Sequence, residues 1–235
     1  MKTHGKLVIA ALLFAGALAI AGCSSETSGS GGTNVLNTGT GTPGTGTLPT
    51  GQPILVRLGT DNLVGDDPPV YRKLWVAIVT DVVGNPIPNV TVIFTLGSGR
   101  FLKGVYVLPP PPPFIPQVWL QSPTVLCPNE DLNNNGVLDA GEDINGNGLL
   151  DSLGHSAVNT TGVSDAFGVA RATIVYPKDA ATWSELTLLA GSGVGTPATA
   201  TFFAVGLAAD YSNLNIAPPG DISPFGQSAN CGDIL

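Results

Sequence analysis

Positive charge is scarce in this chain. Only 9 of its 235 residues are Lys or Arg, against 17 Asp or Glu. A formal net charge of −8 excludes nucleic acid as a partner and argues against docking on an anionic lipid surface, because each needs a basic face. Histidine is nearly absent too, with His4 and His155 alone. A Ser-His-Asp triad would have to use His155, no Gly-x-Ser-x-Gly elbow occurs, and no Gly-rich phosphate loop opens a helix. His155 therefore reads as a surface residue, and the chain as non-enzymatic. Acids are plentiful enough for a glycosidase pair, but they cluster where another chemistry explains them. Beyond residue 22 no apolar run reaches the ~20 residues of a membrane-crossing helix. Helical periodicity is missing as well.

The first residues are of a different kind. Lys2 and Lys6 precede an unbroken apolar and small-residue run over residues 7–22, shorter than a membrane span. A basic start, an apolar centre and a small-residue exit mark a secretory signal. The exit, Ile20-Ala21-Gly22-Cys23, resembles the lipobox of bacterial lipoproteins. That resemblance implies that residues 1–22 are removed and that Cys23 carries a lipid anchoring the chain to a membrane. In that family Ser24, where Asp would favour the inner membrane, points to the outer membrane or cell surface. The alternative is an ordinary signal with a chance cysteine. A lipid on Cys23 leaves Cys127 and Cys231, and the oxidising exported compartment then implies a disulfide between them. Two free buried thiols are the other possibility. After Cys23, 20 of the 29 residues from 24 to 52 are Gly, Ser or Thr. Such a stretch buries too little to offset chain entropy, so residues 23–52 read as a flexible linker.

Strand signals recur from residue 53 onward. They fall at 54–58, 73–81, 90–96, 101–107, 169–176, 185–190 and 198–205, separated by Gly, Pro, Asn and Asp. In the third, Val90, Val92, Phe94 and Leu96 share one face; in the fifth, Ala170, Ala172 and Ile174 do. Short strands with such turns predict an all-β chain, an antiparallel sandwich of two sheets. Trp75 and Trp183 fall in or beside strands and read as core. The run Val79-Thr80-Asp81-Val82-Val83-Gly84-Asn85-Pro86-Ile87-Pro88-Asn89-Val90-Thr91-Val92-Ile93-Phe94 resembles the bacterial immunoglobulin-like domains of intimin and invasin type. Ser164-Asp165-Ala166-Phe167-Gly168-Val169-Ala170 is similar to a later turn of that family. The resemblance implies an Ig-like β-sandwich over residues 53–235, interrupted by an insertion at 108–158. The insertion starts with five prolines at 109–113, a stiff polyproline arm or a ligand for a partner's aromatic groove.

The insertion holds the clearest chemical motif. Asp131, Asn133, Asn135, Gly136, Val137, Asp139 and Glu142 fit a twelve-residue calcium loop: side-chain oxygens at positions 1, 3, 5 and 9, a backbone carbonyl at 7, and a bidentate Glu at 12. The pattern restarts with Asp143, Asn145, Asn147, Gly148, Leu149 and Asp151, but its twelfth position is Gly154, so this second loop reads as incomplete. The loops abut, which leaves no room for paired EF-hand helices. The arrangement resembles the tandem calcium repeats of thrombospondin type 3 and dockerin-like segments. Six acids lie between Glu130 and Asp151, while no Lys or Arg occurs between Lys103 and Arg171. Such a run needs a counter-cation to stay ordered. Calcium fits better than zinc, since no His or Cys sits at ligand spacing. A solvated acidic loop without a ligand is the plain alternative.

Three functional readings follow. One is a calcium-stabilised lipoprotein used for adhesion. Next comes a module whose edge strands or proline arm dock onto a filament or outer-membrane complex, a reading raised because one Ig-like domain is short for an adhesin stalk. The alternative is a carbohydrate-binding or hydrolytic accessory protein using Trp119 and the calcium insertion.

Overall fold

Residues 54–111, 117–151 and 156–234 are described in the computed structural model of the chain. The signal (1–22), Cys23, the linker (23–52), Pro112 and Pro113 of the proline run, Gly154 and His155 lie outside the described residues.

Alternation builds the sheets. Strand β1 spans Leu55–Thr60, β2 Gly65–Asp67 and β3 Val70–Thr80. In β3, Tyr71, Lys73, Trp75, Ala77 and Val79 are buried, while Arg72, Leu74 and Ile78 face outward, the period of two expected of a half-buried strand. Strand β4 covers Thr91–Val107, β5 Leu120–Cys127, β6 Ala157–Val158 and β7 Thr161–Val163. Then come β8 (Val169–Pro177), β9 (Ser184–Gly191), β10 (Ala198–Phe203) and one short helix, α1 (Ala208–Ser212). One sheet has the order β1-β3-β8-β6, with β2 also on β3; the other runs β10-β9-β4-β5, with β7 also on β4. Every pairing between these strands is antiparallel. The chain is thus all-β, as its strand signals predict.

The two sheets share one core. Tyr71, Trp75, Val79 and Ile174 from the first join Val92, Phe94, Leu186 and Leu188 from the second in a single buried cluster. Ala77, Ala170 and Ala172 are fully buried among these larger side chains. Each large side chain buried there contributes about 1.5–3 kcal/mol. The two segments that carry the Ig-like resemblance meet in space. Val79 N–H donates to the Gly168 carbonyl (2.8 Å) and Asn89 N–H to that of Ser164 (2.8 Å). The Ser164 hydroxyl bridges them, accepting from Val90 N–H (2.9 Å) and donating to the Ile87 carbonyl (2.8 Å).

Three features differ from the sequence reading. The stretches 90–96 and 101–107 are not two strands but parts of the single strand β4. Gly97-Ser98-Gly99-Arg100 between them looks like a turn, yet stays extended. Arg100 reaches across to Glu185 on β9, through Nη2 (2.7 Å) and Nε (2.9 Å), and its own N–H donates there too (3.1 Å). The register shift against β9 between Ser98 and Phe101 absorbs the irregularity. Second, β5 lies inside the segment 108–158. It is an edge strand carrying Pro123 at a register shift opposite Gly104, where a missing N–H is tolerated. Third, the C-terminal tail beyond α1 packs back on β4. Tyr106 N–H donates to the Asp221 carbonyl (2.7 Å), Gly104 N–H to that of Gly226 (2.9 Å), and Ser223 N–H to that of Gly104 (3.0 Å). Phe101, Cys127, Trp183 and Phe225 form a second, smaller core there.

Candidate metal centre

The base of the calcium-motif segment is fixed on the second sheet. Cys127 ends β5, is fully buried and is bonded to Cys231, with Cα atoms 5.6 Å apart. Lys103, buried on β4, points its ammonium at the tail carbonyls of Asn230, Cys231 and Asp233. Asn129 donates to the Ser98 carbonyl on β4 (3.4 Å) and to that of Asp131 (3.0 Å), which ties the start of the first loop to the sheet.

The first loop wraps around its own side chains. Asp131 accepts Asn135 N–H on Oδ1 (3.1 Å) and Gly136 N–H on Oδ2 (3.0 Å). Asn133 Oδ1 accepts Asn135 N–H (2.9 Å) and Asn135 Oδ1 accepts Val137 N–H (2.7 Å). The side chains of Asn133 and Asn135 converge on Asp139, each Nδ2 donating to its Oδ2 at 2.8 Å. Glu142 closes the loop with both oxygens, Oε1 accepting Leu132 N–H (3.0 Å) and Oε2 accepting Asp139 N–H (3.0 Å). Gly136 has φ 73°, a conformation that a side chain would strain.

The second loop repeats this wiring position by position. Asp143 accepts Asn147 N–H (3.0 Å) and Gly148 N–H (2.9 Å). Asn145 Oδ1 accepts Asn147 N–H (3.0 Å), and Asn147 Oδ1 accepts Leu149 N–H (2.8 Å). Asn145 and Asn147 converge on Asp151, with Asn145 Nδ2 at 2.6 Å. Gly148 has φ 77°, matching Gly136. Val137 and Leu149, at the two carbonyl positions, leave their side chains in solvent. Reading the motif forward along the chain misses one residue. Glu130 stands one position before the first loop, yet its Oε1 accepts Ile144 N–H (3.2 Å) and its Oε2 accepts Asp151 N–H (2.9 Å) in the second loop.

The electrostatics are lopsided. Glu130, Asp131, Glu142 and Asp151 are 1%, 3%, 4% and 8% exposed. Among the described residues the ion pairs are Arg72–Asp67, Arg100–Glu185, Arg171–Asp165, Lys178–Asp66 and Lys178–Asp210, so none of the loop acids faces a cationic side chain. Burial pushes the Glu130 carboxyl above its ordinary range, with the Asp151 charge adding to the rise against its backbone hydrogen bonds. The amides of Asn133 and Asn135 hold Asp139 below its own. Among the described residues no three His, Cys, Asp or Glu side chains gather as a metal cluster on their own. The loop side chains are carboxylates and amides, whose oxygens suit calcium rather than zinc.

The tryptophans separate clearly. Trp183 is fully buried and donates Nε1–H to the Gly220 carbonyl (2.8 Å); Trp75 is 6% exposed and packs on Phe202. Trp119 is half-buried against the C-terminal tail, its indole N–H shared by the carbonyls of Asn213 (3.0 Å) and Ile216 (2.9 Å). The tail thus takes up its polar edge.

No family model, curated protein or solved structure matches this chain.

Proposed function

We propose that the chain is a non-enzymatic, calcium-stabilised lipoprotein of the outer membrane or cell surface, working as an assembly or adhesion module. The carrying observation is the pair of like-wired loops, whose buried carboxylates have no cationic side chain against them. Hydrogen bonds satisfy these oxygens but bring no counter-charge, and burying a charge without one is costly. A bound calcium supplies the missing positive charge and cross-links the turns of each loop. Asp131, Asn133, Asn135, Val137, Asp139 and Glu142 would hold the first ion; Asp143, Asn145, Asn147, Leu149 and Asp151 belong to the second. Asn in place of Asp lowers the charge of each site, which suits the weaker affinities of extracellular modules, roughly 10⁻⁴–10⁻³ M.

The fold reading is an Ig-like sandwich. In favour is the strand order. β1, β3, β8 and β6 correspond to strands A, B, E and D of such a domain, and β4, β9 and β10 to C, F and G, with β5 an extra edge strand beside C. The Asp81 and Asp165 turns, hydrogen-bonded around their carboxylates, support the reading. Cys23 and the Gly/Ser/Thr-rich linker are the basis of the lipid anchor, and a protein neighbour in the envelope is the expected partner.

Cross-linking in intact cells, followed by recovery of the chain in millimolar calcium, tests this role. A trapped protein neighbour is expected, together with loss of the chain from the membrane fraction in Cys23→Ser. A chain that stays in the membrane fraction without Cys23, or that traps no neighbour, contradicts the proposal.

A further inference from the structure

We infer that Glu130 is the closing glutamate of the second loop, so that each of two cation sites is completed by the glutamate that precedes the opposite loop. This rests on the calcium reading above. Counted forward, the second loop ends on Gly154 and lacks its bidentate ligand. Counted in space, it does not.

The correspondence is residue by residue. Glu142 takes the N–H of position 2 (Leu132) on one oxygen and the N–H of position 9 (Asp139) on the other. Glu130 takes the same two positions of the second loop, Ile144 and Asp151, on its Oε1 and Oε2. The sequence carries the same symmetry, since Glu130-Asp131 and Glu142-Asp143 are the same pair one repeat apart. Glu142 stands directly before the second loop and closes the first. Glu130 stands directly before the first loop and closes the second. The backbone agrees: Asn134 and Gly146, at the fourth position of each loop, have φ 58° and 74°.

Burial supplies an argument independent of this wiring. Glu130 is among the largest side chains buried below 2% exposure, beside Asp151, and no Lys, Arg or His pairs with either among the described residues. Two backbone N–H groups satisfy its oxygens but bring no counter-charge, and a buried carboxylate without one is costly. With Glu130 included, the two sites have identical donor sets. Drawn together around an ion, each would comprise three carboxylates, two amides and one carbonyl, and a bidentate Glu would bring the oxygens into the six-to-eight range calcium takes. The first loop then supplies all of its own donors, whereas the second depends on Glu130 from before the first.

Calorimetric titration of the intact chain with calcium chloride tests the exchange. The unaltered chain is expected to bind two ions, and Glu130→Gln one. Glu130→Gln combined with Asp143→Asn should still bind one, because both remove the second-loop ion. Glu130→Gln combined with Glu142→Gln should bind none. Far-UV circular dichroism of each variant, matched to the unaltered chain, establishes that the sheets are intact; Glu130→Asp, which keeps the charge but shortens the reach, should weaken the same ion at least tenfold. The inference is overturned if Glu130→Gln leaves the stoichiometry unchanged. It is equally overturned if the Glu130/Asp143 pair loses both ions, which would assign Glu130 to the first loop. If the unaltered chain binds no calcium, the calcium reading itself fails, and the two failures are thereby told apart.

Discussion

Glu185 is a carboxylate with only 9% of its side chain exposed, and Arg100 clasps it through two nitrogens. The hydrogen bonds from Arg100 hold the Glu185 carboxyl below its ordinary value of 4.5, against the opposing pull of burial. A group whose folded pKa is depressed adds stability above its unfolded pKa and loses it as pH falls through the folded one. Glu185 should therefore add to stability at neutral pH and lose that contribution on acidification below about pH 4.5. Thermal midpoints measured at pH 7 and pH 3.5 should diverge less in Glu185→Gln than in the unaltered chain. Parallel shifts would contradict this. Arg100→Met, which strands the carboxylate, should cost about 1–2 kcal/mol at neutral pH by denaturant unfolding. Much at this scale is legible in the sequence. Asp131 through Glu142 announce themselves by fixed spacing, and Asp143 through Asp151 repeat it. Glu130 does not, because its partners Ile144 and Asp151 lie far along the chain, and a motif read in one direction assigns each loop its own twelfth residue.

Strand β4 shows what an element can hide. Its halves have clear apolar signals, but Gly97 and Gly99 between them read as a break. The strand stays continuous because β9 supplies Glu185 at that point, and a Cβ on Gly99 would lie 2.9 Å from Glu185 Oε2. Long-range pairing of this kind leaves no local trace. The same holds for the tail. Residues 213–234 have no periodicity, yet they add Phe225 to the second core and hydrogen-bond along β4. Cys231 fastens them to β5 across a sequence separation of 104. In the chain-entropy account a loop of that length stabilises by up to about 4–5 kcal/mol. Cys127→Ala combined with Cys231→Ala should lower the unfolding free energy by about 2–5 kcal/mol in guanidinium titrations. It should also raise binding of an apolar dye as Phe101 and Phe225 become exposed. An unchanged midpoint would mean that the tail is held by its hydrogen bonds alone.

Across the whole molecule, two kinds of order stand side by side. The sheets are held by a shared apolar core that alternation in the sequence already outlines. The loops at 130–151 have little apolar burial; Leu132, Val137, Ile144 and Leu149 all face solvent. Their order comes from the loop carboxylates and the backbone amides that donate to them; in the proposed reading a calcium ion holds those carboxylates together. Hydrogen exchange followed by mass spectrometry on the intact chain, in millimolar calcium and again after chelation with EGTA, separates these two sources of stability. The amides of Leu132, Asn135, Gly136, Asp139, Ile144, Asn147, Gly148 and Asp151 all donate to loop carboxylates. Protection of these eight should collapse on chelation while β3 and β8 stay protected. Protection in the loops that is the same with and without calcium would contradict the account.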